Sequence, residues 1–454
     1  MNNAIFFTKK RVIGYLLILT VFLAYYFIPF DISVFARQAL ALFLIAALFW
    51  AFEIIPLYAT SICLVVALTF LFGRPDVLAA LNQKKFSFFF AQFANPIIFL
   101  FMGGLILAKA LSKHHIDQYF AKVVFRSLGK KSFSVLLGHL FLTAFLSMWI
   151  SNTAATVISL SLIAPILSQL PKNDPFQKGL PIAVAFGASI GGIGTPIGTP
   201  PNALAIGILA EHGIRVSFLQ WMGMAVPLML IILIVASVVL WLFFPSKTEM
   251  RTLVREPSPL TKHAKAVVFG FMAMVVLWLT SPLHKIPESL VALLGVSYFV
   301  FFELVKLEDV KQIEWDVLFL MWGGLALGEA MLVSDLIPSL FGVKDVIEVT
   351  YFVFVLICLL CMGLSSFMSN TATANILLPI VVYFPPENQV IFSIIVALCC
   401  SLTLTFPIST PPNALAYSCH TFTTKDMFKS GGVISVFALI IILLGFDIII
   451  PYFF

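Results

Sequence analysis

Charge is what this sequence has least of. Only 11% of its 454 residues are Asp, Glu, Lys or Arg, whereas 61% are hydrophobic, and the mean hydropathy is +1.06. Residues 133–171, 179–210, 350–386 and 388–424 carry none of the four charged types. A soluble domain holds about 25% charged residues, so this composition excludes one, and apolar runs of spanning length imply helices in a bilayer. Cysteine chemistry is also missing. Cys63, Cys358, Cys361, Cys399, Cys400 and Cys419 lie mostly in apolar runs, with no second pair or histidine at ligand spacing, which excludes a disulfide scaffold and a zinc site. His114, His115 and His139 likewise lack carboxylate or thiol partners and read as structural. No His-Glu-x-x-His, Gly-x-Ser-x-Gly or phosphate-loop pattern occurs, so nothing supports a membrane protease, a hydrolase, an ATP-driven pump or any other enzyme. The net charge of +6 resides in short loops, where the positive-inside rule explains it without a nucleic-acid partner.

What is present is duplication. Ser151-Asn152-Thr153-Ala154 recurs as Ser369-Asn370-Thr371-Ala372, and the stretch from Ile197 through Gly198-Thr199-Pro200-Pro201-Asn202 to Ala205 recurs from Ile408 through Ser409-Thr410-Pro411-Pro412-Asn413 to Ala416. The order is the same in both halves. Phe99-Leu100-Phe101-Met102-Gly103-Gly104-Leu105 is echoed by Phe319-Leu320-Met321-Trp322-Gly323-Gly324-Leu325, about 220 residues later. Most of the two halves have diverged beyond recognition while these segments have not.

Apolar runs place spans near 12–29, 36–54, 56–73, 91–111, 179–210, 218–244, 265–282, 287–304, 316–332, 388–418 and 431–452. The first follows Lys9-Lys10-Arg11 and has no small-residue cleavage site, so a retained helix is expected rather than a signal peptide. Stretches 133–168 and 350–384 break at Ser-Asn-Thr and read as re-entrant hairpins that enter and leave on one side. The expectation is an all-α polytopic membrane protein with eleven transmembrane helices and two hairpins. An N-terminal segment, 1–33, precedes repeat 1 at 34–245, a cytoplasmic linker at 246–264 and repeat 2 at 265–454. Each repeat has an odd number of crossings, so the copies are inverted, an architecture of secondary transporters. With the N-terminus cytoplasmic and the C-terminus outside, only Arg37, Arg74, Lys84, Lys85, Arg215, Lys285 and Lys344 of the 27 Lys and Arg fall outside. That bias fits a bacterial inner or plasma membrane. The mixed-charge stretches 113–128 and 333–343 are too polar to span and read as surface-lying helices, and the aromatic-rich 86–93 as an interfacial belt. Glu53 and Asp447 are intramembrane acids whose placement suits packing or an interface.

The duplicated motifs suit a particular chemistry. Ser, Asn and Thr at a hairpin tip offer hydroxyls and an amide, and the half-helix after the tip presents free N–H groups that favour an anion. Two consecutive prolines forbid a continuous helix, exposing carbonyls that suit a hard cation. With no Lys or Arg in the four motif segments, a dianion needs co-bound cations, which implies sodium; on this argument alone a neutral solute also fits.

The paired Ser-Asn-Thr tips, each followed by a Thr-Pro-Pro-Asn break, resemble the divalent anion:sodium symporter family over nearly the whole chain. The resemblance implies an elevator-type homodimer. Its scaffold would comprise the first four and the seventh to ninth spans; hairpins and remaining spans would form the moving part. By motif position, a first sodium site would use Ser147, Ser151, Asn152 and Gly198, and a second Ser365, Ser369, Asn370 and Ser409. Substrate carboxylates would meet Asn152, Thr153, Thr199, Asn370, Thr371 and Thr410. No covalent cofactor is implied, and Na+ is the coupling ion. The expected function is sodium-coupled symport of a small dianion such as succinate, malate or fumarate. Dicarboxylate exchange without sodium, or carriage of citrate or sulfate, is the alternative. Gly198 against Ser409 is the visible asymmetry: the hydroxyl could add a ligand or crowd the cation.

The topology is testable by labelling. Single cysteines introduced at positions 130 and 344 in a cysteine-free background should react with an impermeant maleimide from opposite faces; reaction from one face would refute the inverted arrangement.

Overall fold

The computed structural model describes residues 9–27, 32–74, 77, 87–126, 131–249, 258–341, 351–381 and 383–448. Among the expected features, Lys84, Lys85, Phe86, Lys130, Arg251, Arg255 and Lys344 lie outside the described residues. Every regular element described is helical. The helices are α1 (Lys9–Phe27), α2 (Val34–Phe52), α3 (Leu57–Phe72), α4 (Phe88–Ala91), α5 (Pro96–Lys113), α6 (Ile116–Arg126), α7 (Ser132–Ser147) and α8 (Asn152–Leu167). There follow α9 (Phe176–Gly192), α10 (Pro200–Glu211), α11 (Phe218–Phe243), α12 (Lys262–Leu279), α13 (Ser281–His284), α14 (Glu288–Phe301) and α15 (Leu307–Lys311). The last are α16 (Trp315–Val333), α17 (Leu336–Phe341), α18 (Tyr351–Ser365), α19 (Asn370–Val381), α20 (Pro386–Ser401), α21 (Pro411–Tyr417) and α22 (Thr424–Ile448).

Local chemistry sets the boundaries. Ser33 caps α2 by accepting from Ala36 N at 3.1 Å, and Thr261 caps α12 through Ala264 N at 3.1 Å. Ser217 and Gln220 form a reciprocal capping box at the start of α11. The final helix begins seven residues before the hydrophobic run suggested, because Thr423 and Asp426 hydrogen-bond each other's backbone and side chains at 2.7–3.3 Å and so start it at Thr424. Glu53 is the exposed, left-handed residue that ends α2, and the side chain of Asp447 lies outside the described residues. The stretches read as hairpins hold the helix pairs α7–α8 and α18–α19, and those read as broken spans hold α9–α10 and α20–α21. The two surface stretches hold α6 and α17. Six described helical stretches have at least 18 residues and are apolar enough to cross a membrane, and further apolar helices have 10–17 residues. Phe70, Leu242, Phe269 and Phe301 expose 67–80% of their surface, the outer face expected in lipid.

The chain forms two compact units, each drawing on both repeats. The first comprises residues 1–98, 204–215 and 314–396. There α16 packs against α3 and α19, and α2 against α3 and α17, around Trp50, Leu68, Phe72 and Leu320. The second comprises residues 99–203, 216–313 and 397–454. Its centre is α9, buried continuously from Gly179 to Gly192, as a helix apolar on every side must be. It is surrounded by α7, α8, α11, α21 and α22. Gly191 makes the α7–α9 approach possible, since a Cβ there would overlap the Ala144 backbone. Beside this core, α12 pairs with α14, and Trp278 stacks on Phe218 at 4.8 Å.

The end of α5 is tied to α15 and its flanks. Lys113 bridges Asp309 at 2.6 Å, Lys109 donates to Gln312 at 2.8 Å, and a ring nitrogen of His114 lies 3.0 Å from the Leu304 carbonyl. Burial raises the Asp309 carboxyl, but hydrogen bonds from Lys113 and the Lys306 backbone outweigh it and hold the group below its ordinary value. A depressed acid stabilises the fold above its unfolded pKa, and the contribution is lost as pH falls through the folded value. Asp309→Asn should therefore lower stability by about 1 kcal/mol at pH 7. Thermal unfolding in detergent should show wild type and variant converging below about pH 4.

Candidate functional site

The first hairpin and first break meet in the second unit. Ser147 ends α7 with its hydroxyl 2.5 Å from Asn152 Oδ1 and 2.7 Å from the Ala188 carbonyl of α9. Ser151 caps α8 by accepting from Ala154 N at 3.4 Å, which leaves the N–H groups of Asn152 and Thr153 at the open end of the half-helix. The Asn152 amide lies against Gly192, where a Cβ would approach its Oδ1 to 2.8 Å. Gly198 approaches the same residue from the other side, since a Cβ on Gly198 would overlap the Gly192 carbonyl oxygen. Ser147, Asn152, Gly192 and Gly198 are thus brought together, and Ser151 stands at the tip beside them.

A second set of bonds holds this break open. Asn202 is fully buried, and its Nδ2 lies 3.1, 3.3 and 2.8 Å from the carbonyls of Gly192, Ile193 and Thr195. Trp221 of α11 also donates to the Ile193 carbonyl at 3.0 Å. Thr195 Oγ1 donates to the Met148 carbonyl at 2.6 Å, fastening the break to the hairpin tip. The Thr-Pro-Pro-Asn signature therefore does more than interrupt a span. Thr199 precedes α10, Pro200 and Pro201 occupy its first positions, where a missing N–H costs nothing, and Asn202 turns back to the carbonyls orphaned at the end of α9.

The second break, also in the second unit, repeats the device with one change. Thr410 caps α21 through Asn413 N at 3.3 Å, and Asn413 Nδ2 reaches the Phe406 carbonyl at 3.0 Å, as Asn202 reaches that of Thr195. Ser409, in the place of Gly198, directs its hydroxyl to the carbonyls of Phe406 and Thr403 at 2.8 and 3.2 Å and receives Asn413 Nδ2 at 3.0 Å. The extra side chain is absorbed by its own loop. The half-helix α21 packs on α8 and α9, so the second break shares a unit with the first hairpin and the first break.

The second hairpin belongs to the first unit. Ser365 donates to Asn370 Oδ1 at 2.7 Å, and Ser369 caps α19 through Ala372 N at 3.1 Å, reproducing the geometry of Ser147, Asn152, Ser151 and Ala154. Ser365, Thr371, Thr199, Ser409 and Thr410 are buried, whereas Ser151, Asn152, Thr153, Ser369 and Asn370 keep partial exposure at the tips. Among the described residues no group of three or more His, Cys, Asp or Glu could hold a metal ion. Oxygen donors here are hydroxyls, amides and carbonyls, the set that suits a hard monovalent cation.

Two polar features escaped the motif reading. In the first unit, Asn95 Nδ2 donates to Glu211 Oε1 at 2.7 Å, while Asn95 Oδ1 accepts from Ile97 N at 3.0 Å, joining the start of α5 to the end of α10. In the same unit Asn375, 1% exposed, donates to the Leu320 carbonyl at 2.8 Å. Both partners are separated by long stretches of sequence; the only local signal was a polar residue inside or beside an apolar run.

Comparison with known proteins places the chain in a family. The family described as "Sodium:sulfate symporter transmembrane region" matches residues 9–449. A sodium-dependent dicarboxylate transporter SdcS of Staphylococcus saprophyticus is 29% identical over 91% of this chain and 86% of its own length. The Staphylococcus aureus SdcS is 27% identical over 98% and 92%. An uncharacterized transporter of Methanocaldococcus jannaschii is 30% identical over 90% and 92%. Among solved structures, the YdaH transporter of Alcanivorax borkumensis shares the fold with a TM-score of 0.50 at 15% identity, over 87% of this chain and 98% of that one. The duplicated hairpin and break motifs, the all-helical membrane fold and the match along almost the entire sequence lead to one assignment: the chain belongs to the divalent anion:sodium symporters, and it is a transporter, not an enzyme.

Proposed function

We propose that this chain is a sodium-coupled symporter of small dianions, with C4-dicarboxylates such as succinate, malate or fumarate as substrates. The observation that carries the reading is the repeated hairpin tip: a serine hydroxyl on an asparagine amide oxygen, at 2.5 Å in the first copy and 2.7 Å in the second, beside a capped half-helix. Both tips lie in segments without a single charged side chain. The names of the staphylococcal relatives support dicarboxylate and sodium as the cargo.

The chemistry follows from what the tips offer. A dianion leaving water carries a large desolvation cost, and half-helix N-termini and hydroxyls offset only part of it. The rest must come from positive charge that travels with the substrate. Ser147, Ser151, Asn152 and the Gly198 backbone would receive one sodium ion, and Ser365, Ser369, Asn370 and Ser409 a second. Thr153, Thr199, Thr371 and Thr410, with both asparagine amides, would meet the carboxylates. Cation binding first and anion binding second makes the loaded carrier less charged than the anion alone, and two or more sodium ions per dianion make the cycle electrogenic or neutral rather than opposed by its own charge. We extend the reading to an elevator cycle in a homodimer, with the N-terminus cytoplasmic and the C-terminus outside.

Purified protein in empty proteoliposomes should accumulate radiolabelled succinate under an inward sodium gradient and not under an equal potassium gradient. Asn152→Ala and Asn370→Ala should each cut uptake about ten- to a hundredfold at fixed sodium, the value of hydrogen bonds to charged ligands, and raise the sodium concentration needed for half-maximal rate. Uptake that ignores sodium and requires internal dicarboxylate would establish exchange; loss of uptake to excess sulfate and not to excess malate would reassign the anion.

A further inference from the structure

The polar corner at the end of α10 takes no part in the hairpins or the breaks. Gly207 seats the helix there, in the first unit: a Cβ on it would overlap Ile97 at the start of α5 and stand 3.5 Å from the Leu325 side chain of α16. One helical turn beyond these contacts come Glu211 on α10 and Glu329 on α16, and the two carboxyl groups repel each other. Two residues before Ile97 stands Asn95, whose amide is oriented by its own backbone. Its Oδ1 accepts from Ile97 N at 3.0 Å, so Nδ2 is the atom left to donate to Glu211 Oε1, at 2.7 Å.

Neither carboxyl has a basic side chain to pair with. Glu329 is the charge that acts on Glu211, and His212 the one that acts on Glu329; Arg215 is exposed. His212 Nδ1 lies 2.8 Å from the Ile208 carbonyl and so carries the hydrogen, leaving Nε2 buried without a hydrogen-bond partner among the described residues. Tyr383, beyond α19, is acted on by Glu329 and by Asp335, and its hydroxyl is also buried and without such a partner. No group of three or more His, Cys, Asp or Glu among the described residues could hold a metal ion. The ligand that suits two facing carboxyl groups without a counterion is a proton, because both do not ionise together near neutral pH. Glu211 stands just past the 179–210 span, and burial, then the Glu329 charge, push its carboxyl up to about 8 against the hydrogen bond from Asn95. The neutral acid fits the corner: Oε1 accepts from Asn95 and Oε2 carries the proton.

We propose that Glu211 and Glu329 form a proton-binding site, and that its occupancy makes transport respond to pH in a range where a dicarboxylate does not titrate. Losing the proton sets two negative charges against each other across the α10–α16 contact and raises the energy of an arrangement that the carrier must visit. The transport consequence rests on the reading of the chain as a sodium-coupled carrier; the proton site does not.

Two measurements without substrate test the site in purified full-length protein. At neutral pH the infrared difference between wild type and Glu211→Gln should show the carbonyl band of one protonated carboxylic acid; a carboxylate band in its place overturns the proposal. Thermal unfolding then reads the linkage. An acid raised in the folded state costs stability progressively from its ordinary value of 4.5 up to about 8, and glutamine escapes that cost. The melting temperatures of wild type and Glu211→Gln should therefore coincide near about pH 5 and separate by several degrees near about pH 9, with the variant higher. Glu329→Gln, which removes the repelling charge, should open a gap of the same sign; parallel curves for both variants overturn the site. In proteoliposomes, sodium-driven succinate uptake by wild type should fall at least about threefold between about pH 7 and about pH 9, where the anion stays fully ionised, and remain level in Glu211→Gln. Identical pH courses would overturn the role in transport. Protein that takes up no succinate at any pH refutes the substrate assignment, and the spectra and melting curves still decide the proton site.

Discussion

The architecture depends on carbonyl groups that have lost their helix. A span that stops inside an apolar unit leaves its last carbonyls without donors, each at a cost of several kcal/mol in hydrocarbon. Here one buried amide answers for three of them: Asn202 reaches the carbonyls of Gly192, Ile193 and Thr195. Trp221 and Thr195 add the remaining ties, to α11 and to the hairpin tip. The break can therefore persist beside α9, the most deeply buried helix of the second unit, and the tip at Ser151 and Asn152 has a fixed surface to stand on. Threonine, two prolines and asparagine in this order form one device: a helix start, two positions that need no donor, and a lace.

Duplication shows which parts of the device are required. Asn413 repeats the lacing, Thr410 caps its half-helix, and the serine–asparagine contact recurs at both tips. The one substitution inside the break is accommodated without disturbing this set. At Gly198 the loop runs so close to the Gly192 carbonyl that no side chain fits; at Ser409 the corresponding carbonyl, that of Thr403, stands far enough away to accept a hydroxyl at 3.2 Å. The two copies thus place backbone oxygens similarly but differ in how much room is left around them.

Much of this was legible before any coordinates. Helix positions followed from apolar run length, and the hairpins and breaks from polar signatures in uncharged sequence, because in a bilayer each unsatisfied group is costly enough to leave a mark. Boundaries set by short-range polar chemistry were less visible. Thr423 and Asp426 begin α22 among charged residues that hydropathy assigns to a loop. The pairings of Asn95 with Glu211 and of Asn375 with Leu320 were invisible, since periodicity reports which face of a helix is buried and not which distant helix it meets. The echo of Gly103-Gly104 in Gly323-Gly324 was visible as sequence, yet its use differs between copies, which only the contacts reveal.

The two copies also differ in the side chains they place at matching positions. Asn375, opposite Gly324, donates to the Leu320 carbonyl, whereas Val157 in the matching place of the other copy can form no such bond. The scarcity of charge that makes this interior hospitable to a co-transported anion also keeps its internal contacts weak enough to break.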